Sequence, residues 1–429
     1  MTRRFSWLCA TLLGSLLLAP IPVAAAPLTP EANYRKALDY QAAYPGESWT
    51  IKNLGYALLA LGKGDEAARA FRLYLYDEPR DPGGWTGLGY SLAAANRPAE
   101  AVEAFLKGEG LQPGSADPNQ MGYLYRLLGR TDDAVAWFDR SLARDPRDLQ
   151  ALLGKAYAYG EAKRTEEAAA AFRAALEADP ARGDYVSLGY ALGTLGRFDE
   201  AEGAFQAGLD RGQEPFPLLL GLGYARMGQK RFPEAAEAFR KARALRPEDP
   251  EAAAKLGYAA GAAGLHQEAL EAFLTVRRVA PEQCPWTSLG YAFQALGRYP
   301  EAAEAFEEAV RKSPDDPEPL KGLGYTRLSQ GKTGEALTAF QRLLTLRPDG
   351  ESYAALGRAL GERKVPGEAA EAFRRGLALA PGNPNLAEGL ARALAASRNP
   401  KAAREALRIL LGLDPARGER VARELGLKP

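Results

Sequence analysis

A three-residue signature, Leu-Gly-Tyr, returns along this chain at nearly constant spacing, at residues 54–56, 88–90, 188–190, 222–224, 256–258, 289–291 and 323–325. Looser copies fill the gaps at 121–123, 155–157, 356–358 and 390–392. The central small residues therefore stand at 55, 89, 122, 156, 189, 223, 257, 290, 324, 357 and 391, and each step is 33 or 34 residues. A fixed period of that length means one short supersecondary unit stacked many times, because a single unit cannot bury its own apolar face. It overrides the two or three globular domains that 429 residues would otherwise suggest.

Further landmarks keep the same phase. Twelve residues after each central residue stands an alanine, from Ala67 to Ala403. Four residues later comes a phenylalanine, from Phe71 to Phe373, with Leu407 closing the series. Eight beyond that is a proline in every copy but the fifth, which has Gln213. Alanine and phenylalanine four apart share one helix face, and the proline ends that helix. Glycines such as Gly62, Gly129, Gly196, Gly264, Gly297 and Gly331 mark the turn between two helices of each copy. Small residues at 55 and 67 let the two backbones approach, leaving the Phe71 ring to fill the gap toward the neighbouring copy. The turn after the fifth copy, residues 211–217 with Pro215 and Pro217, reads either as loop drift or as a bend.

The order and spacing of Leu-Gly, Ala-x3-Phe and Pro resemble the tetratricopeptide repeat family over residues 48–417, in eleven consecutive copies. The resemblance implies an all-α fold, a right-handed α-solenoid superhelix of helix-turn-helix repeats with first helices lining the concave side. Such a stack needs polar caps. Residues 26–47 read as an N-terminal capping helix, opened by Thr29-Pro30-Glu31, and residues 418–429 as a C-terminal one with Val421 and Leu425 on one stripe.

Residues 1–25 read as an export signal. Arg3 and Arg4 precede an apolar stretch from Trp7 to Ala19, then Pro20, Pro22 and the small residues Val23 to Ala26. The apolar stretch is shorter than the roughly 20 residues of a membrane-spanning helix. The arginine pair leaves the general secretory and twin-arginine routes both open. Cys9 lies before the apolar stretch ends, so it is not a lipoprotein anchor. No later segment is long and apolar enough to span a bilayer, so the mature chain is expected in the periplasm, with release outside the cell as the alternative.

Composition then narrows the chemistry. Lys plus Arg number 55 and Asp plus Glu 54, so no basic excess points to nucleic acid. One histidine and two cysteines leave no metal-ligand set and no nucleophile with a positioned base. His266 reads as a surface residue and Cys284 as packing or a free thiol. No catalytic residue, cofactor or metal is expected. One constellation stands out. Tyr56, Tyr90, Tyr123, Tyr157, Tyr190, Tyr224, Tyr258, Tyr291 and Tyr325 each follow the central small residue. One residue past the glycine is a rotation of about 100° around the helix, and family geometry puts that position on the concave wall. The rings either pack on neighbouring first helices or present edges and hydroxyls to an extended ligand, peptide or polysaccharide. Family modules that clamp a C-terminal carboxylate carry asparagine where these tyrosines stand, so such a clamp is not expected.

The chain is accordingly expected to be an exported non-catalytic scaffold or adaptor of the cell envelope, with a protein or peptide partner. It resembles, loosely, repeat proteins of exopolysaccharide secretion and phage adsorption. The alternative is a polysaccharide-binding subunit or carbohydrate-active enzyme of an exopolysaccharide system. N-terminal sequencing of the exported protein is expected to begin at Ala26, since Val23 and Ala25 suit the small-residue cleavage pattern; a sequence still beginning at Met1 would remove the export assignment.

Overall fold

The structure, a computed structural model, describes residues 29–428; the expected export signal and cleavage point lie outside the described residues. Among the described residues there are 24 α-helices, one 3-10 turn at Pro281–Gln283 and no strand. The fold is an all-α tetratricopeptide-type solenoid. It divides into two compact units, Met1–Gln213 and Glu214–Pro429. The first holds helices from the cap Pro30–Ala43 through the two helices of repeat five, Tyr185–Thr194 and Phe198–Asp210. The second runs from the first helix of repeat six, Pro215–Gly228, to the terminal helix Pro415–Leu425. That last helix starts at Pro415, earlier than residue 418, because Asp414 caps it and accepts from the Arg417 N–H at 3.0 Å.

The division falls at the one copy without the post-helix proline. Gln213 stands there, and its side-chain Nε2 donates to the Gly183 carbonyl at 2.9 Å, tying the end of repeat five to that repeat's own entry loop.

Local chemistry sets the helix ends. Most first helices open on an aspartate cap, often with proline next: Asp81–Pro82, Asp117–Pro118, Asp249–Pro250 and Asp316–Pro317. The carboxylate satisfies orphan N–H groups, and proline fits the first helical position. Second helices lack a side-chain cap in nearly every repeat and place acids in their first turn, as at Asp65 and Glu66 or Asp132 and Asp133, where the helix dipole favours them. The residue just before is usually a cation that pairs with the acid three along: Arg97–Glu100 at 2.7 Å, Arg164–Glu167 at 3.0 Å, Arg197–Glu200 at 2.6 Å and Arg298–Glu301 at 2.7 Å. The turn between the two helices needs one left-handed residue. Glycine supplies it at 62, 129, 196, 264, 297 and 331, but Asn96, Lys163, Lys230, Lys364 and Arg398 hold the same conformation, with φ between 58° and 61°.

The core is a series of phenylalanines. Phe71, Phe105, Phe306 and Phe340 are fully buried, and the ring series as a whole is inaccessible. Each ring lies directly on the central glycine of its own repeat, except in repeat four, where the central residue is Ala156. A Cβ added at Gly55 would stand 2.8 Å from the Phe71 ring, at Gly189 2.4 Å from Phe205, and at Gly223 2.5 Å from Phe239. The other side of the ring meets the next repeat. An added Cβ at Gly87 would stand 2.4 Å from Phe71, at Gly154 2.4 Å from Phe138, and at Gly322 2.4 Å from Phe306. In repeats one, three, eight and ten the ring thus fills the gap toward the next copy, with a glycine backbone of each repeat closing on it.

Two substitutions test the clamp. Phe239→Ala is expected to cost about 3–5 kcal/mol of unfolding stability, the range for a buried aromatic. Amide protection should fall first in the adjoining hairpins, since repeat stability is a nearest-neighbour quantity. Gly223→Ala would add about 1 kcal/mol to an isolated helix but is expected to destabilise here, because the methyl has no room. Thermal unfolding by circular dichroism checks both signs, and a stabilised G223A would overturn the clamp.

Candidate functional site

Eight of the nine tyrosines follow the clamped glycines and Tyr157 follows Ala156, so the same close packing that seats the phenylalanine fixes where each tyrosine begins. In the first unit Tyr56, Tyr90, Tyr157 and Tyr190 stand edge-on to Phe71, Phe105, Phe172 and Phe205, with ring centres 4.9, 4.9, 5.3 and 5.3 Å apart. In the second, Tyr224, Tyr258, Tyr291 and Tyr325 stand edge-on to Phe239, Phe273, Phe306 and Phe340, at 5.6, 5.3, 5.0 and 5.1 Å. Tyr123 has the Arg126 guanidinium 5.1 Å from its ring centre. A rotation of about 100° carries the tyrosine Cα off the glycine face, but the side chain is long enough to lean back onto the buried ring. Such edge-to-face pairs contribute about 0.5–1.5 kcal/mol beyond area burial. The outer faces stay accessible: Tyr157, Tyr190, Tyr258 and Tyr291 are 37–40% exposed and the other five are half-buried.

Several hydroxyls reach the opening turn of the next first helix, 27 residues on. Tyr56 donates to the Gly83 carbonyl at 3.1 Å, Tyr157 to Asp184 Oδ2 at 2.6 Å, and Tyr224 to Glu251 Oε1 at 2.8 Å. Tyr291 donates to the Glu318 carbonyl at 3.4 Å. Tyr325 differs, accepting from Arg358, 33 residues on and inside the next first helix. Tyr56, Tyr157, Tyr224, Tyr291 and Tyr325 are therefore seated on their own repeat and tethered by the phenol oxygen to the following one. Burial, and then the Asp81 carboxylate, push the Tyr56 phenol up to about 12; burial and then Glu318 do the same to Tyr291. Burial also raises Tyr258 and Tyr325.

The capping aspartates are functional-looking residues that sequence reasoning missed. Asp81 Oδ2 accepts from Lys52 Nζ at 2.6 Å and from the Tyr74 hydroxyl at 2.7 Å, while Oδ1 and Oδ2 accept from the Gly83 and Gly84 N–H groups. Asp148 accepts from Asn119 Nδ2 at 2.6 Å and the Ser141 hydroxyl at 2.7 Å. Burial works against ionising Asp81, yet the hydrogen bonds from Lys52 and Tyr74 hold it below the usual carboxylate range. Lys52, Asn119 and Lys321 lie four residues before a tyrosine; Lys321 pairs with Glu351 at 2.6 Å. These face residues are thus spoken for within the fold. The repeated Asp-Pro dipeptides were the signal for the caps.

Chemistry elsewhere is sparse. His266 begins the second helix of repeat seven, exposed, and Cys284 is buried, its thiol pushed up to about 11 by that burial. A thiol held neutral at pH 7 is a packing group, not a nucleophile. A cleft of about 460 Å³ beside Trp286 and Phe293 has its three carboxylates, Glu301, Glu304 and Glu308, all on one helix, Tyr299–Lys312. A second, of about 360 Å³, is lined by Trp85, over whose ring Lys107 Nζ sits at 4.5 Å. Among the described residues no three His, Cys, Asp or Glu side chains could hold a metal ion, and no helix is long and apolar enough to cross a membrane.

The phenol shifts give a pH test. The unfolded chain gives up these protons near pH 10, whereas folded Tyr56 and Tyr291 hold them to about 12. Their contribution to stability is complete below pH 10 and falls as pH rises to 12. Urea unfolding across that window is expected to show the decline, and the Y56F/Y291F variant a shallower one.

A model of the tetratricopeptide repeat family matches residues 52–116, 119–182, 186–250, 220–283 and 287–351, and a second matches residues 363–423. No curated protein matches the chain. Among solved structures it is similar to the APC/C hetero-tetramer Cut9–Hcn1, at 17% identity over 92% of this chain and 93% of that one, TM-score 0.44. It is also similar to a tetratricopeptide repeat protein from Parabacteroides merdae, at 17% identity over 57% and 98%, TM-score 0.42. YrrB, a protein of the same kind with an unusual peptide-binding site, matches at 21% identity over 44% and 98%, TM-score 0.38.

Proposed function

Because the chain belongs to the tetratricopeptide repeat family, a family of protein–protein interaction scaffolds, we propose that it is an exported, non-catalytic adaptor of the cell envelope that binds an extended protein or peptide along its tyrosine-bearing first helices. The observation that carries this reading is the seating of the tyrosines. Eight rings are locked edge-on against buried phenylalanines while keeping an outer face in solvent. A large, rigid, amphipathic surface that is already ordered loses little conformational freedom when a partner lands on it, which is what a binding face needs.

The partner is expected to be extended, because identical side chains recur once per repeat, and a strand or polyproline-like peptide presents side chains at regular intervals. With Lys52, Asn119 and Lys321 held by neighbouring acids, contact would rest on ring faces and edges more than on free charge. Export rests on the basic, apolar and small-residue order of residues 1–25. The buried thiol and the single exposed histidine support a non-catalytic role.

The test is capture from an envelope fraction by the wild type and two variants at Tyr224, Tyr258 and Tyr291, with the captured species identified by mass spectrometry. Triple replacement by Phe removes hydroxyls and keeps the rings on their phenylalanines; a modest loss of capture is expected. Triple replacement by Ser removes the rings, and capture of the same protein is expected to fall at least tenfold in a chain that is still helical. Undiminished capture by the folded Ser variant would sink the tyrosine face. Recovery of polysaccharide in place of protein would favour the saccharide-binding alternative.

A further inference from the structure

We propose that the cleft beside Trp286, between the second helices of repeats seven and eight, is a docking site for a lysine side chain of a partner protein, independently of the tyrosine face. The observation is an internal comparison, because the chain builds the same cleft twice. Trp286 stands four residues before the central Gly290, and Trp85 four residues before the central Gly89. Glu301, Glu304 and Ala305 line the first cleft, and Glu100, Glu103 and Ala104 line the second from the same repeat positions. On that second helix one lining position changes its charge: eighteen residues after the glycine stands Lys107 in repeat two and Glu308 in repeat eight.

Repeat two shows what that position does. Lys107 sets its Nζ over the Trp85 ring at 4.5 Å, so the chain supplies that cleft with an ammonium of its own. In repeat eight the lysine is replaced by a carboxylate, and the indole faces the cleft without it. The nearby Arg298 goes instead to the Phe293 ring, at 4.8 Å, and among the described residues no cation stands over half-buried Trp286. Trp137, by contrast, has the Arg140 guanidinium 4.1 Å from its ring centre.

The charges around the indole select the same occupant. Glu301, Glu304 and Glu308 fall within a sector of about 60° on the helix Tyr299–Lys312. Glu301 pairs with Arg298 at 2.7 Å and Glu308 with Arg311, while exposed Glu304 has no ion pair among the described residues. Arg277, on the facing helix His266–Val279, is exposed, and its long stem lets the guanidinium turn to solvent. An incoming lysine would lay its methylenes along Leu274 and Phe293 and bring its ammonium over the indole, within reach of Glu304. An acidic side chain would meet three carboxylates, and an apolar one would leave Glu304 unanswered. The cleft has room for it, at about 460 Å³ against about 360 Å³ for the one lined by Lys107.

The probe is a blocked pentapeptide with one lysine among glycines, titrated into the mature full chain and followed by saturation-transfer NMR beside its Nε-acetylated form. The lysine peptide is expected to bind and the acetylated one not. Glu308→Lys gives the cleft its own cation, as repeat two has, and is expected to weaken binding on the order of tenfold, the scale of a desolvated cation–π contact. Lys107→Glu makes the reverse exchange and is expected to raise the bound peptide about twofold at subsaturating concentration, as two like sites require. The control Asp315→Lys makes the same charge change as Glu308→Lys at an exposed residue outside the cleft and should bind as the wild type does. Circular dichroism melting establishes that the variants fold. The proposal is overturned if the wild type binds neither peptide, or binds both equally. Undiminished binding by folded E308K overturns it too, as does an equal loss in D315K or the absence of any gain in K107E.

Discussion

A phenylalanine ring pressed between two helix backbones is the contact on which this protein is built. The central glycine removes the one carbon that would hold the first helix away, and the ring of the second helix takes that space. Everything else follows from that fit. The alanine four residues before the ring must be small for the same reason, and the alanines at 67, 101, 201, 235 and 302 are completely buried. The tyrosine beside the glycine inherits a fixed starting point and an aromatic edge to lean on. Helix propensity alone would favour alanine over glycine at these sites by about 1 kcal/mol; shape outweighs it, because a buried aromatic with no cavity around it is worth several times more.

Much of this is legible in the sequence, since period and small-large alternation are properties of the chain itself. The steps of 33 or 34 residues, the Ala-x3-Phe pair and the glycine turns together specify hairpin, core and stacking. What is not legible is where side chains of one repeat find partners in the next. The second glycine under the ring, at 87, 154, 322 and 389, recurs too irregularly to stand out. The tether from tyrosine hydroxyl to the next helix opening spans 27 residues and ends on chemically different acceptors, a carbonyl at Gly83 and carboxylates at Asp184 and Glu251. No sequence pattern announces a bond whose acceptor changes identity at each step. The left-handed turns show the same limit. Glycine marks six of them, whereas Lys163, Lys230, Lys364 and Arg398 adopt the identical conformation because the surrounding hairpin imposes it.

The charges divide between two tasks. Those on the first helices and at their caps are internal: Lys52 with Asp81, Asn119 with Asp148 and Lys321 with Glu351 join successive repeats. Those on the second helices lie on the outside, and surface pairs of that kind contribute only about 0.2–1 kcal/mol each. They are the positions at which charge can vary at little cost in stability: Leu265, Val365 and Asn399 stand where other repeats carry a cation, and the second helix has the same length in each.

The double-sided seating of Phe71, Phe138, Phe306 and Phe373 also has a mechanical meaning. A phenylalanine that belongs to two hairpins at once makes the junction, and not the hairpin, the element that resists being pulled apart. Under tension applied along the chain, a junction that opens at an end of the array exposes one ring, unmoors one hairpin and leaves the next ring still clamped. Extension would then proceed in discrete steps, each releasing one period of chain, on the order of 110 Å of contour at about 3.3 Å per residue. Each step would be reversible, because the ring needs only its own glycine and its neighbour's backbone to seat again. Such an array behaves as a graded tether that yields and recovers one segment at a time.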